Sequence, residues 1–196
     1  MTNGRNFFKN WREYVLPNVA IQRSNNPPTY TNFLRSSCKA TLYPDLCYNS
    51  LSTYSNAIQT NPKMLASAAL SVTLTTSKTT TAMFSKMSKG AGIRPREGGA
   101  LRDCLEELND SISELEESIK EMSEMKNGKK MGVMMNDIQT WVSAALTDEN
   151  TCMDGFDGKV MDGKLKNVVR GKIVNICHLT SNSLSLINSY ASFINN

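Results

Sequence analysis

Residues able to do chemistry are sparse and poorly placed for it in this chain of 196 residues. The one histidine, His178, lies inside a helical pattern, where a lone imidazole reads as structural. Serines abound, but none has a plausible base near it, and no G-x-S-x-G elbow is present. Walker and G-x-G-x-x-G loops are also absent, and the Gly-Lys-Lys run at 128–130 lacks the upstream glycine of a phosphate loop. The cysteines are Cys38, Cys47, Cys104, Cys152 and Cys177. None forms a C-x-x-C pair, and with only His178 to help, a zinc site is not expected. The residues therefore predict a protein that is not an enzyme and needs no cofactor and no metal.

Disulfides are the better use of these thiols, and they imply an oxidising compartment. An odd count leaves at least one thiol without an internal partner. Cys38 and Cys47 flank a short turn, so a bond there would staple a hairpin. Cys104 and Cys152 fall in different long helices and could clamp them; such bonds typically contribute about 2–4 kcal/mol. Cys177 reads as a buried inert thiol or a reactive one, burial being the commoner fate. An export leader needs an uninterrupted apolar run, whereas the segment at 6–13 is interrupted by Lys9, Arg12 and Glu13.

The elements that would hold these residues are helical. Residues 1–30 show no sustained period, end in Asn25-Asn-Pro-Pro28, and read as a disordered extension. A short helix is expected at about 31–37 and a second from Pro44 to about Gln59. Asn61-Pro62 caps a third that runs to about Lys89, although its Thr73–Thr81 interior has poor intrinsic propensity. Over 97–125, Leu101, Leu105, Leu108, Ile112, Leu115, Ile119 and Met122 recur at alternating spacings of four and three, an apolar helical stripe. Further helices are expected at 133–154 and 161–194, the last with lysines in its first turns, against the macrodipole. Four long helices with short breaks predict an all-α, antiparallel up-down-up-down four-helix bundle over 31–194, preceded by an N-terminal helical hairpin.

Surface chemistry points to a binding role. Glu106, Asp110, Ser113, Glu114 and Glu117 share one side of the 97–125 helix, opposite the leucine stripe, as a solvated face or a docking surface. Met122, Met125, Met131, Met134 and Met135 gather near one loop, as core filling or as an adaptable apolar site. The formal charge of +4 arises wholly within residues 1–37, so no groove for nucleic acid is expected, and no apolar stretch is long enough to span a membrane.

Three stretches resemble the plant pectin methylesterase inhibitor family, which is related to the invertase inhibitors. Trp141-Val-Ser-Ala-Ala-Leu-Thr-Asp-Glu-Asn-Thr-Cys-Met-Asp-Gly-Phe156 looks like the family's W-x-S-A-A-L-T-x-x-x-T-C-x-D-x-F signature. Leu101-Arg-Asp-Cys-Leu-Glu-Glu-Leu-Asn-Asp-Ser111 is similar to its pattern around the third cysteine, and Cys38-Lys-Ala-Thr-Leu-Tyr-Pro-Asp-Leu-Cys47 to its opening C-x-x-T-x-Y-P-x-x-C. The resemblance implies the hairpin-plus-bundle fold, disulfides Cys38–Cys47 and Cys104–Cys152, and Cys177 as a free thiol. It implies one-to-one binding of plant pectin methylesterase over the active-site cleft, in the secreted, cell-wall (apoplast) compartment. Carried over by position, the contacts would be Glu106, Asp110, Ser113, Glu114, Thr151 and Asp154. Ser113 and Glu114 depart from the family's usual Asp-Asn pairing.

Two alternatives stand beside this reading. One is inhibition of cell-wall or vacuolar acid invertase, although that branch's Pro-Lys-Phe motif is missing at the corresponding breaks. The other is a non-inhibitory bundle whose Met-rich end carries an apolar ligand. Asn109-Asp-Ser111 is a glycosylation sequon beside the supposed docking face, and we expect it to be unmodified.

Overall fold

A computed structural model describes residues 28–90, 92–125 and 130–194 of the chain. Helix α1 spans Pro28–Lys39, α2 Pro44–Leu51 and α3 Ser55–Ile58, followed by α4 (Pro62–Ser88), α5 (Pro95–Glu124), α6 (Met131–Asp154) and α7 (Lys164–Ile194). Short 3-10 turns occupy Ser52–Tyr54 and Lys159–Met161. The first helix begins at Pro28, ahead of the expected 31, and the rest of the N-terminal extension lies outside the described residues.

The core reveals how the long helices run. One buried cluster joins Leu70 near the start of α4, Ile119 and Met122 near the end of α5, Ile138 near the start of α6 and Ile187 near the end of α7. A second joins Phe84 late in α4, Leu101 early in α5, Phe156 just past α6 and Val169 early in α7. Starts of α4 and α6 thus meet ends of α5 and α7, which is up-down-up-down packing, with α7 returning to lie along α4. The apolar stripe of α5 faces inward: Leu101, Leu108, Leu115, Ile119 and Met122 are buried, with Leu105 and Ile112 half-buried.

Local chemistry sets the helix boundaries. Asn61 Oδ1 accepts the Met64 N–H at 3.2 Å and Pro62 opens α4. The threonine run of α4 is held helical by packing, with Leu70, Leu74 and Phe84 buried around it, while Thr75, Thr76, Thr79 and Thr81 donate their hydroxyls to carbonyls one turn back, at 2.8–2.9 Å. At the start of α5 the Glu97 carboxylate accepts the Arg94 N–H at 3.0 Å and its guanidinium at 2.7 Å. The continuous helix expected from Pro44 to Gln59 is instead broken. Ser50, Ser52 and Ser55 each donate to the carbonyl three residues back, which favours the tighter 3-10 turn at 52–54.

The hairpin of α1 and α2 is joined by a Cys38–Cys47 disulfide and, with Ile58 of α3, packs Leu34 and Leu51 against Leu65, Ala69 and Leu186 of the bundle. His178 has a structural task here, since its ring stacks on Tyr43 with centroids 3.6 Å apart. One turn later, the Asn182 amide accepts the Tyr43 N–H at 3.0 Å and donates to the Tyr43 carbonyl at 2.9 Å. Tyr43 precedes α2, so α7 holds the hairpin by its turn.

Between the two apolar clusters lies a polar layer. Thr73 and Ser183 share a hydrogen bond at 3.0 Å, while Ser111 and Thr180 donate to Glu149 Oε1 at 3.1 and 2.7 Å. Glu149 is fully buried and its Oε2 has no hydrogen-bond partner. Burial pushes this carboxyl up to about 7 against the two hydroxyl donors. The folded state therefore binds the proton more tightly than the unfolded chain, where Glu titrates near 4.5. That contribution to stability is full below about pH 4.5, is lost as pH rises to about 7, and amounts to about 3 kcal/mol. Glu149→Gln, which stays neutral at every pH, should flatten the fall in melting temperature between pH 5 and pH 7.5. An unchanged slope in calorimetry would mean that other groups carry it.

Candidate protein-docking face

Helices α5 and α6 lie side by side, joined by the Cys104–Cys152 disulfide with 4.1 Å between Cα atoms. The outer side of this pair holds all six positions singled out by family resemblance. Glu106, Asp110 and Ser113 are exposed on α5, and Thr151 and Asp154 on α6. Glu114 differs: it is half-buried, turned into the seam between the helices instead of standing opposite the leucine stripe. Ser113 and Thr151 donate their hydroxyls back to the carbonyls of Asn109 and Thr147, at 2.9 and 3.0 Å.

What meets Glu114 in the seam is Asp148 of α6. Glu114 Oε2 is buried and receives no N–H or hydroxyl donor. Two carboxyls in contact are satisfied only when one carries a proton for the other. Both are held above the usual carboxylate range. Glu114 is pushed up to about 7 by burial first, then by Asp148 and Asp110. Asp148 is raised by burial and by the charge of Asp110, against a hydrogen bond with Glu114 that lowers it. Glu107 is raised too, by burial and by the surrounding Asp148, Asp110, Glu106 and Asp103. This is a surface of carboxylates crowded closely enough to retain a proton, rigidly backed by a disulfide.

Asp148 and Glu149 were not among the residues that sequence reasoning selected. A signal existed: Met135, Ile138, Val142, Ala145, Glu149 and Cys152 recur at alternating spacings of three and four, and all are buried. Glu149 sits on the core stripe of α6, masked in the sequence by its polar neighbours. Asp148, one residue earlier, necessarily faces the adjoining helix seam.

The other features resolve differently. Met122, Met125 and Met135 are buried, with Met131 and Met134 packed against them, so this cluster is core filling. Cys177 is a buried free thiol, pushed up to about 12 by burial and by the Glu149 charge, and so is not a nucleophile near neutrality. Within the sequon, Asn109 is exposed on α5 while Ser111 is wholly buried, so the folded helix does not present the pair as an extended acceptor. Among the described residues, no helix is long and apolar enough to cross a membrane.

Residues 32–186 match the family model described as plant invertase/pectin methylesterase inhibitor. Pectinesterase inhibitor 11 of Arabidopsis thaliana is 45% identical over 163 residues, covering 82% of this chain and 81% of that protein. The 21 kDa protein of Daucus carota is 44% identical over 165 residues, covering 82% and 84%. In three dimensions the fold is similar to the crystal structure of a mutant form of a pectin methylesterase inhibitor from Arabidopsis. That match has a TM-score of 0.62 at 26% identity, over 77% of this chain and 92% of that one.

The shared proton is directly testable. Asp148→Asn removes one charge and supplies an amide donor, so Glu114 should titrate at least about one unit lower in a carboxyl-carbon NMR titration. A Glu114 that still titrates near 7 would show that burial alone raises it.

Proposed function

Because the chain belongs to the plant invertase/pectin methylesterase inhibitor family, we propose that it binds a plant pectin methylesterase one to one and covers that enzyme's active-site cleft. Blocking the cleft would leave wall pectin more highly esterified. The observation that carries this reading is the carboxylate-rich seam of α5 and α6, exposed along a rigid, disulfide-clamped helix pair. Such a surface loses little conformational entropy on docking, because its backbone is already fixed. In it Glu106, Asp110 and Asp154 would meet the partner as exposed charges, Ser113 and Thr151 as hydroxyls, and Glu114 as the half-buried member of a proton-sharing pair. Two disulfides and the family's chemistry support a secreted protein acting in the cell wall.

A second reading, inhibition of acid invertase, is kept open by the family itself, whose description spans both enzymes.

The test is a titration of the oxidised protein into a plant pectin methylesterase, following methanol release at mildly acidic pH, with acid invertase assayed in parallel. Loss of esterase activity at near-stoichiometric protein, with invertase untouched, is the expected result. A Glu106→Ala/Asp110→Ala/Asp154→Ala variant should keep its helical signal and inhibit about tenfold less tightly or worse. Inhibition of invertase alone would move the chain to the sister activity. Silence with both enzymes, across isoforms and pH values, would remove the inhibitor reading.

A further inference from the structure

Near-neutrality beyond residue 37 conceals a strong segregation of charge. Between 86 and 103 and between 154 and 172 the chain carries ten Lys or Arg against five Asp or Glu. Along α5 from 104 to 124 it carries eight acidic residues against Lys120 alone. The first two segments meet at one end of the bundle, around the cluster of Phe84, Leu101, Phe156 and Val169. There the Arg94 guanidinium reaches the Asp162 carbonyl at 3.3 Å, joining the entry of α5 to that of α7. Three of the five carboxylates are occupied in ion pairs, Glu97 with Arg94, Asp162 with Lys166 and Asp157 with Arg170. Arg96, Arg102, Lys159, Lys164 and Lys172 remain exposed, beside Lys89 at the end of α4.

The fold makes this concentration costly. In an up-down-up-down bundle α5 and α7 point the same way, so both N-termini, with their unpaired N–H groups and partial positive charge, lie at this end. The first turn of α7 contains no acidic residue. Cations gathered on two helix N-termini are relieved by an anion with several charges.

We propose that this end of the bundle is a second binding surface, for a polyanion bearing a row of free carboxylates: de-esterified polyuronate. Among the described residues at this end, the one large apolar side chain that is exposed is Val168, so no aromatic is offered for base stacking and no wedge for a bilayer. The choice of polymer rests on the esterase-inhibitor reading, since removal of methyl esters from pectin produces that row of carboxylates; the cationic surface itself does not. An inhibitor so equipped would be retained where the esterase has already acted.

The test uses the full oxidised chain and long oligogalacturonates, either free or fully methyl-esterified, titrated calorimetrically at physiological ionic strength, where charges are screened beyond about 8 Å. The free acid should bind and the ester should not. Arg96→Gln/Lys159→Gln/Lys164→Gln should weaken binding about tenfold or more, while Lys39→Gln/Lys120→Gln/Lys130→Gln, with the same change in net charge, should not. Equal loss in both variants, or equal binding of the ester, overturns the proposal. Equally tight binding of single-stranded DNA or of phosphatidylserine vesicles overturns the assignment to polyuronate. Esterase inhibition by the first variant on the same preparation keeps the two readings apart: a chain that binds polyuronate but inhibits nothing fails only the docking reading, and one that inhibits but binds no polyuronate fails only this one.

Discussion

The Cys104–Cys152 bond is the constraint on which the outer surface depends. Exposed carboxylates crowded along one seam repel each other, and two adjacent helices carrying them would otherwise gain by sliding or splaying apart. A covalent link between the start of α5 and the end of α6 holds them at 4.1 Å between Cα atoms and fixes their relative register. The hydrogen bond from Ser111 to Glu149, less than two turns beyond Cys104 along α5, fixes it again from inside. Asp148 and Glu114 are therefore kept in contact although their charges alone would separate them. The disulfide and the buried carboxyl act on the same helix pair from opposite sides, one toward the end of the bundle and one at its middle.

The interior follows from a related compromise. A bundle with a wholly apolar core could settle in several registers, because one leucine stripe packs against another at many offsets. Here two apolar clusters are divided by hydroxyls and one carboxyl, whose hydrogen bonds form only when the helices are aligned as they are. The layer costs stability as the carboxyl ionises, and in exchange the alignment of α5, α6 and α7 is specified.

Much of this was legible in the sequence, and the parts that were not have physical reasons. The stripe of α5 could be read because leucine and isoleucine at alternating fours and threes have few other uses. The stripe of α6 passes through Glu149, and a polar residue inside an apolar period looks like an interruption until its hydroxyl partners on α5 and α7 are in place. Those partners are 38 and 31 residues away, so no local pattern announces them. The Asp148–Glu114 pair was hidden for the same reason. The break at 52–54 depends on which way three serine hydroxyls turn, a choice that propensity does not decide. Charge segregation was also invisible to a sum over the chain, because it arises when segments more than 50 residues apart are folded to one end.

The fifth cysteine has a consequence for how the chain matures. With five thiols available under oxidising conditions, early pairings scramble by exchange, each thiolate attacking whichever sulfur it reaches. Closure of α7 against α6 withdraws Cys177 from that competition, since a thiol buried beside a carboxyl and pushed up to about 12 yields almost no thiolate. The finished protein thus contains no internal attacker able to undo its own cross-links. Once both bonds are made and the last helix has docked, internal exchange has almost no thiolate to start it.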